Sequence, residues 1–172
     1  MALVKGPFSI QWGNNPILDV SEIGFNYDVE TKDYSTIDGR TFSVEGAITA
    51  SVELTLLSSD VDALKTILPQ YYVPKEGKLS TGETVNADEG AIDIVAASCD
   101  TTVTNYDLEI TSCTGEVTRL VNARTSLTSQ EFADNAIRTV TVTFRGEPAQ
   151  GKGIIQFFKQ GGISERPAEE AA

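Results

Sequence analysis

Residues 40–57, RTFSVEGAITASVELTLL, alternate apolar and polar side chains over most of their length. Phe42, Val44, Ile48, Ala50, Val52, Leu54 and Leu56 fall on one parity, and Thr41, Ser43, Glu45, Thr49, Ser51, Glu53 and Thr55 on the other. Successive side chains of a strand point to opposite faces, so this period predicts one long strand with a buried face and a wet one. Gly46 breaks the run and marks a bulge or bend. At ~3.4 Å per residue the strand reaches ~55 Å, long for a globular domain. Residues 18–28 alternate in the same way, with Ile23, Phe25 and Tyr27 against Glu22, Asn26 and Asp28. Between the two runs the polar segment ETKDYSTIDGR ends in Asp38-Gly39, a strong turn signal. Residues 18–57 are therefore expected to form one long β-hairpin with a mobile polar tip over 29–39.

The period then changes. Val61, Leu64, Ile67 and Leu68 sit at helical spacing, with Ser59 as the expected N-cap and Pro69 as the stop. This predicts one helix of about three turns. Residues 69–90 hold three glycines and two prolines but few apolar side chains, and read as a long loop, of a length that is usually functional or disordered. Short strands are expected at 91–97, 102–112, 116–127, 137–145 and 154–158, with Tyr106, Leu108 and Ile110 facing inward. Residues 128–137, TSQEFADNAI, read as a short helix or an irregular bridge. Strands that alternate like antiparallel pairs, with one early helix, predict a mainly β (α+β) fold. Two packed antiparallel sheets form a sandwich or partly closed barrel, flanked by one α-helix and the long hairpin. Residues 1–158 are expected to be a single domain and 159–172 a flexible tail.

Charge and chemistry narrow the function. The 172 residues carry 13 Lys plus Arg against 25 Asp plus Glu, a net charge of −12. That balance argues against capture of nucleic-acid phosphates, which needs clustered cations. There is no histidine. The commonest general base, the usual triads and the commonest transition-metal ligand are thereby removed. The segment GEPAQGKG, residues 146–153, matches a phosphate-binding loop up to its lysine. Gly153 cannot supply the magnesium-binding hydroxyl, and the β-like IIQFF follows, so it reads as a hairpin loop. Glu83, Asp88, Glu89 and Asp93 miss the calcium-loop spacing and read as a solvated acidic loop. No catalytic, metal or cofactor residues are assigned, and no cofactor is expected.

Cys99 and Cys113 fit no zinc or redox spacing. They bracket a strand ~30 Å long, too far for a bridge, and are expected to be free structural thiols. No signal peptide is visible in MALVKGPFSIQW. No run approaches the ~18 apolar residues of a membrane span, so no membrane partner is expected.

The long hairpin with its polar tip, the run TIDGRTFSVEGAITASVELTLLSSDVDALKTILP and the closing TVTVTFRGEP with a short strand after it resemble the major tail tube proteins of siphophages. The resemblance is one of pattern and spans roughly residues 18–158. Contractile tails and type VI secretion tubes share that fold. It implies hexameric rings stacked into a tube, an inner barrel continuous across subunits, and viral DNA in transit through the lumen without specific binding. It also implies tape measure, tail terminator and tail tip proteins as partners. The protein would be made in the host cytoplasm and reside in the virion tail. The polar face of the hairpin supplies the lumen candidates Glu22, Asn26, Glu45, Thr49, Ser51, Glu53 and Thr55. The tip and the long loop supply the contact candidates Lys32, Asp33, Tyr34, Asp38, Tyr71, Tyr72, Lys75 and Lys78. The alternatives are a secretion-system tube, a β-sandwich binding module such as an adhesin or receptor-binding domain, and a two-carboxylate hydrolase. No paired carboxylates support the last, and Tyr71-Tyr72 is the only aromatic pair for the second.

Overall fold

A computed structural model of the chain describes residues 3–99, 104–132 and 137–165. An eight-stranded antiparallel sheet dominates it. The strands, in chain order, are β1 (Phe8–Trp12), β2 (Asn15–Ile17), β3 (Val20–Ser35) and β4 (Thr41–Leu56), then β7 (Asn105–Ser112), β8 (Glu116–Phe132), β9 (Arg138–Gly146) and β10 (Ile155–Lys159). Between β4 and β7 lie α1 (Val61–Ile67), a 3-10 turn (Pro69–Tyr71) and a two-stranded sheet of β5 (Tyr72–Val73) and β6 (Ala91–Ile92). The sheet runs β2-β1-β7-β8-β9-β4-β3, with β10 also on β8.

Two layers arise because β8 is long enough to serve both. Glu116–Leu120 pair with β10, and Ala123–Phe132 pair with β9 along the same edge. The opposite edge of the first half pairs with β7 as far as Arg124. One layer is thus β2-β1-β7-β8-β10 and the other β8-β9-β4-β3. At the junction Val121 and Asn122 stand opposite Asp107 in a bulge, where the Asp107 carboxylate accepts the Asn122 N–H at 2.9 Å. Bulges bend strands and add twist. The layers enclose a core of Val52, Leu54, Leu56, Leu108, Leu120, Val140, Val142 and Phe144, closed by Trp12. Trp12 is fully buried, stands edge-on to Tyr106 and Phe144, and donates its indole N–H to the Ala123 carbonyl at 3.1 Å. Ile67 and Leu68 from the helical segment plug this core.

The mainly β architecture, the hairpin and the single early helix match the expectation, and several details do not. The hairpin tip is not a long polar loop: strand pairing continues to Ser35↔Thr41 and only a tight turn remains. Gly39 closes that turn at φ 84, a conformation open to glycine. The helix has seven residues. Its N-cap is Asp60, which accepts the Ala63 N–H at 3.0 Å, because Ser59 is engaged with Arg138 of β9. The 91–97 strand shrinks to Ala91–Ile92. Residues 128–132 extend β8 rather than form a helix, and 133–136 lie outside the described residues. The β1–β2 hairpin carries too few residues to show a period.

The 146–153 segment is a connecting loop. Its flanking strands both pair with β8 and not with each other, so it is not a hairpin turn. Cys99 and Cys113 are free, as expected, but both are exposed rather than packed. Among the described residues, no helix is long and apolar enough to cross a membrane.

Candidate functional site

Among the described residues, both edges of the β8-β9-β4-β3 layer are open. Nothing among the described residues pairs with the outer edge of β3, which runs sixteen residues. On the far side of the same layer, β7 leaves β8 at Arg124, and the Thr125 carbonyl takes the Gln70 side-chain amide at 3.3 Å. Beyond it, to Phe132, that edge of β8 also lacks a strand partner among the described residues. An exposed edge invites pairing with another chain, and monomers usually blunt it with prolines, charges or a cover.

The faces of this layer follow from the register, since residues directly opposite across an antiparallel pair share a face. On one face Ile23, Phe25, Tyr27 and Val29 stand opposite Leu54, Val52, Ala50 and Ile48. This is the core face. Val52 and Leu54 are buried under the second layer, whereas Ile23, Phe25, Tyr27 and Ile48 extend past it and are exposed. On β8 the core face carries Leu127, opposite Val142, and Phe132, opposite Arg138. Phe132 is also exposed.

The other face is polar across all four strands. Glu22, Gly24, Asn26 and Asp28 of β3 oppose Thr55, Glu53, Ser51 and Thr49 of β4. Thr55, Glu53 and Ser51 oppose Thr141, Thr143 and Arg145 of β9, which in turn oppose Ser129, Ser126 and Arg124 of β8. Hydroxyls meet across strands at Thr55–Thr141, 3.4 Å, and at Thr128–Thr143. A shallow depression on this face is lined by Asn26, Asp28, Ser51, Thr143 and Arg145.

Six of the seven lumen candidates, Glu22, Asn26, Thr49, Ser51, Glu53 and Thr55, therefore share one face. Glu45 does not. Gly46 and Ala47 of β4 both stand opposite Glu30, which confirms the bulge at Gly46 and shifts the phase of everything beyond it. Glu45 and Ser43 consequently oppose Thr31 and Asp33 on the core-side face. Val44 and Phe42 oppose Lys32 and Tyr34 on the polar-side face. The single parity of residues 42–56 is thus split between two faces. Nor is the polar face purely acidic: Arg145 and Arg124 sit on it. The threonines of β9 were visible as an alternating row, but their alignment with β4 needed the pairing.

The contact candidates separate into two groups. Lys32, Asp33 and Tyr34 lie within β3, with Asp33 accepting the Ser43 hydroxyl. Asp38 sits in the turn, bonded to Thr36 and 3.4 Å from the Arg40 guanidinium. Tyr71 packs on the core, and Tyr72 lies 4.5 Å beneath the Lys65 ammonium and against Gly90. Both tyrosines make these contacts within the chain and remain partly exposed. Lys75 and Lys78 are exposed on the 74–90 loop.

That loop is an ordered structure rather than a featureless one. Lys78 bridges Thr84, and the Ser80 N–H donates to the Asp93 carboxylate at 2.7 Å. This hydrogen bond, joined by the Ser80 side chain, holds the Asp93 carboxyl below its ordinary pKa. Among the described residues no group of three or more Asp, Glu or Cys side chains is placed to hold a metal ion.

Compared with known protein families and with curated proteins, the sequence matches none. The fold does match solved structures. The chain is similar to one from the sheath–tube complex of the extracellular contractile injection system PVC in its extended state, at 17% identity and a TM-score of 0.56 over 88% of both chains. It is similar to one from the tube-terminating cap of the anti-feeding prophage, at 15% identity and 0.56, over 92% of this chain and 95% of that one. It is also similar to one from the PVC sheath/tube terminator, at 17% identity and 0.54, over 91% and 99%. At such identities the likeness establishes a shared fold.

Proposed function

We propose that the protein is a structural subunit of a phage-type tail tube, the siphophage major tail tube protein being the reading its hairpin pattern favours. It performs no catalysis. Copies associate head to tail, the outer edge of β3 in one pairing with the β8 edge beyond Thr125 in the next. Such a heterologous contact closes into a ring when the rotation fits, and closure removes the open edges. With six copies, four strands each, twenty-four strands would surround a channel. The polar face lines it, and viral DNA passes through without being held.

The observation that carries this reading is the pair of open edges on one layer. Each has exposed apolar side chains on its core-side face, Ile23, Phe25 and Tyr27 at one end and Phe132 at the other. A neighbour would bury both sets at once. Stacked rings form the conduit in the virion tail, with tape measure, terminator and tip proteins as partners. The subunit is made in the host cytoplasm. A capping role is the second reading, favoured by the near-complete overlap with the tube-terminating cap and the sheath/tube terminator. Electron microscopy of concentrated purified protein, alone and with tail initiator proteins, is the test. Stacked tubes support the first reading and isolated rings the second, while persistent monomers rule out both.

A further inference from the structure

The turn of the hairpin ends in Ile37, an aliphatic side chain that is completely exposed. Apolar residues at a tight turn are unusual, since turn positions favour Gly, Asn, Asp, Ser and Pro. The subunit offers Ile37 nothing to pack on. At the other end of the same hairpin, where the chain enters β3 and leaves β4, a cleft of about 240 Å³ opens between β2 and α1. Its apolar lining includes Ile17, Leu18, Ala63 and Ile67, and Asp19 and Asp60 add carboxylates. Leu18 is one of the most exposed large side chains of the molecule, and Leu57 and Val61 beside the cleft are exposed as well. The cleft thus collects apolar surface that the subunit leaves uncovered.

Resting on the tube reading above, we infer that the hairpin tip of one copy docks in the cleft at the hairpin base of another copy, with Ile37 as the plug. Charge supports this occupant. Arg40, three residues beyond Ile37, is largely exposed, and among the described residues its guanidinium pairs only with Asp38, at 3.4 Å; that surface pair is weak, so the guanidinium can turn to the cleft carboxylates. The geometry assigns the contact its place in the assembly. Edge pairing joins copies across the strand direction, whereas tip-to-base docking joins copies displaced along it, by ~50 Å for a sixteen-residue strand. Such a displacement cannot close a ring and propagates without limit. It is the contact between rings.

The experiment compares wild type, Ile37→Asp and Arg40→Glu by electron microscopy, with monomer folding checked by circular dichroism. Both positions are solvent-exposed, so the fold is expected to be unchanged. Ile37→Asp is expected to give rings with loss of stacked tubes, and Arg40→Glu shorter tubes. Wild-type-length tubes from Ile37→Asp overturn the inference while leaving the ring reading intact. Wild-type rings that never stack overturn it too and favour the cap. Absence of rings in the wild type overturns the tube reading itself. In a Cys99→Ser, Cys113→Ser background, the pair Ile37→Cys and Thr66→Cys should crosslink successive copies of a tube into a ladder on mild oxidation. Tubes in which neither thiol crosslinks count against the docking.

Discussion

At the scale of single residues, the subunit is organised around Trp12 and Phe144. They come from opposite layers and meet edge-on at 5.8 Å between ring centroids. Both are fully buried, and the indole N–H is satisfied by Ala123. Truncation of Phe144 to Ala removes the contact and opens a cavity, at a cost of about 3–5 kcal/mol. That is a large share of a typical stability of about 5–15 kcal/mol. Denaturant unfolding, followed by the fluorescence of the sole tryptophan, should therefore show a midpoint lowered by at least a fifth. A midpoint within error of wild type would mean the layers are not joined there. The neighbours of Tyr71 and Tyr72, namely Lys65, Gly90 and the core, were not legible in the sequence: they are brought to them by a loop whose path no local pattern shows.

At the scale of elements, the hairpin was legible because alternation is a local signal. Its phase was not. Gly46 pointed to a bulge, but a bulge moves every later side chain to the other face, and only the partner strand reveals which strand holds the extra residue. Hence Glu45 was placed on the face of Glu53. The end of β8 was missed because its edge is open and its residues are exposed on both faces, so TSQEF shows no period. Those open edges can be tested through Phe25, which lies beside the outer edge of β3 and is 41% exposed. Phe25→Asp is expected to cost the monomer about 1–2 kcal/mol, which leaves it folded. In a ring the carboxylate would be trapped against Phe132 and Leu127 of the neighbour, an apolar setting that penalises charge. The critical concentration for ring formation should rise more than tenfold, about 1.4 kcal/mol per contact, as read by sedimentation. Unchanged assembly would show that this edge stays open.

At the scale of the whole molecule, the proposed tube raises the question of which face of the four-stranded layer would meet its channel. The register gives the two faces different charges. The polar face carries Asp28 and Glu53, whose β3 levels, Asp28 and Gly24, are four residues and so ~14 Å apart. Arg145 lies between them, opposite Ser51 at the level of Asn26. The core-side face carries Glu45. In a ring each of these charges repeats once per subunit. The polar face then presents acidic belts at Glu53 and Asp28 on either side of a basic one at Arg145, with Glu22 and Glu30 adding acidic levels beyond them. Phosphates passing within the Debye length of ~8 Å feel the acidic belts as barriers and the basic belt as a weak guide. Replacing Asp28 and Glu53 together with Lys makes the three central levels of the face cationic in succession, a band that releases counterions on contact and holds DNA. Both side chains are exposed, so the double variant is expected to fold and assemble. Virions carrying it should eject DNA slowly or incompletely, the more so at low salt, where screening is weaker. Glu45→Lys makes the same chemical change on the other face and should leave ejection kinetics at the wild-type rate. The pair of measurements separates the faces. A defect in Glu45→Lys with normal ejection in the double variant would place the core-side face of the distal hairpin in the channel. Normal ejection from both would show that the channel is lined by neither.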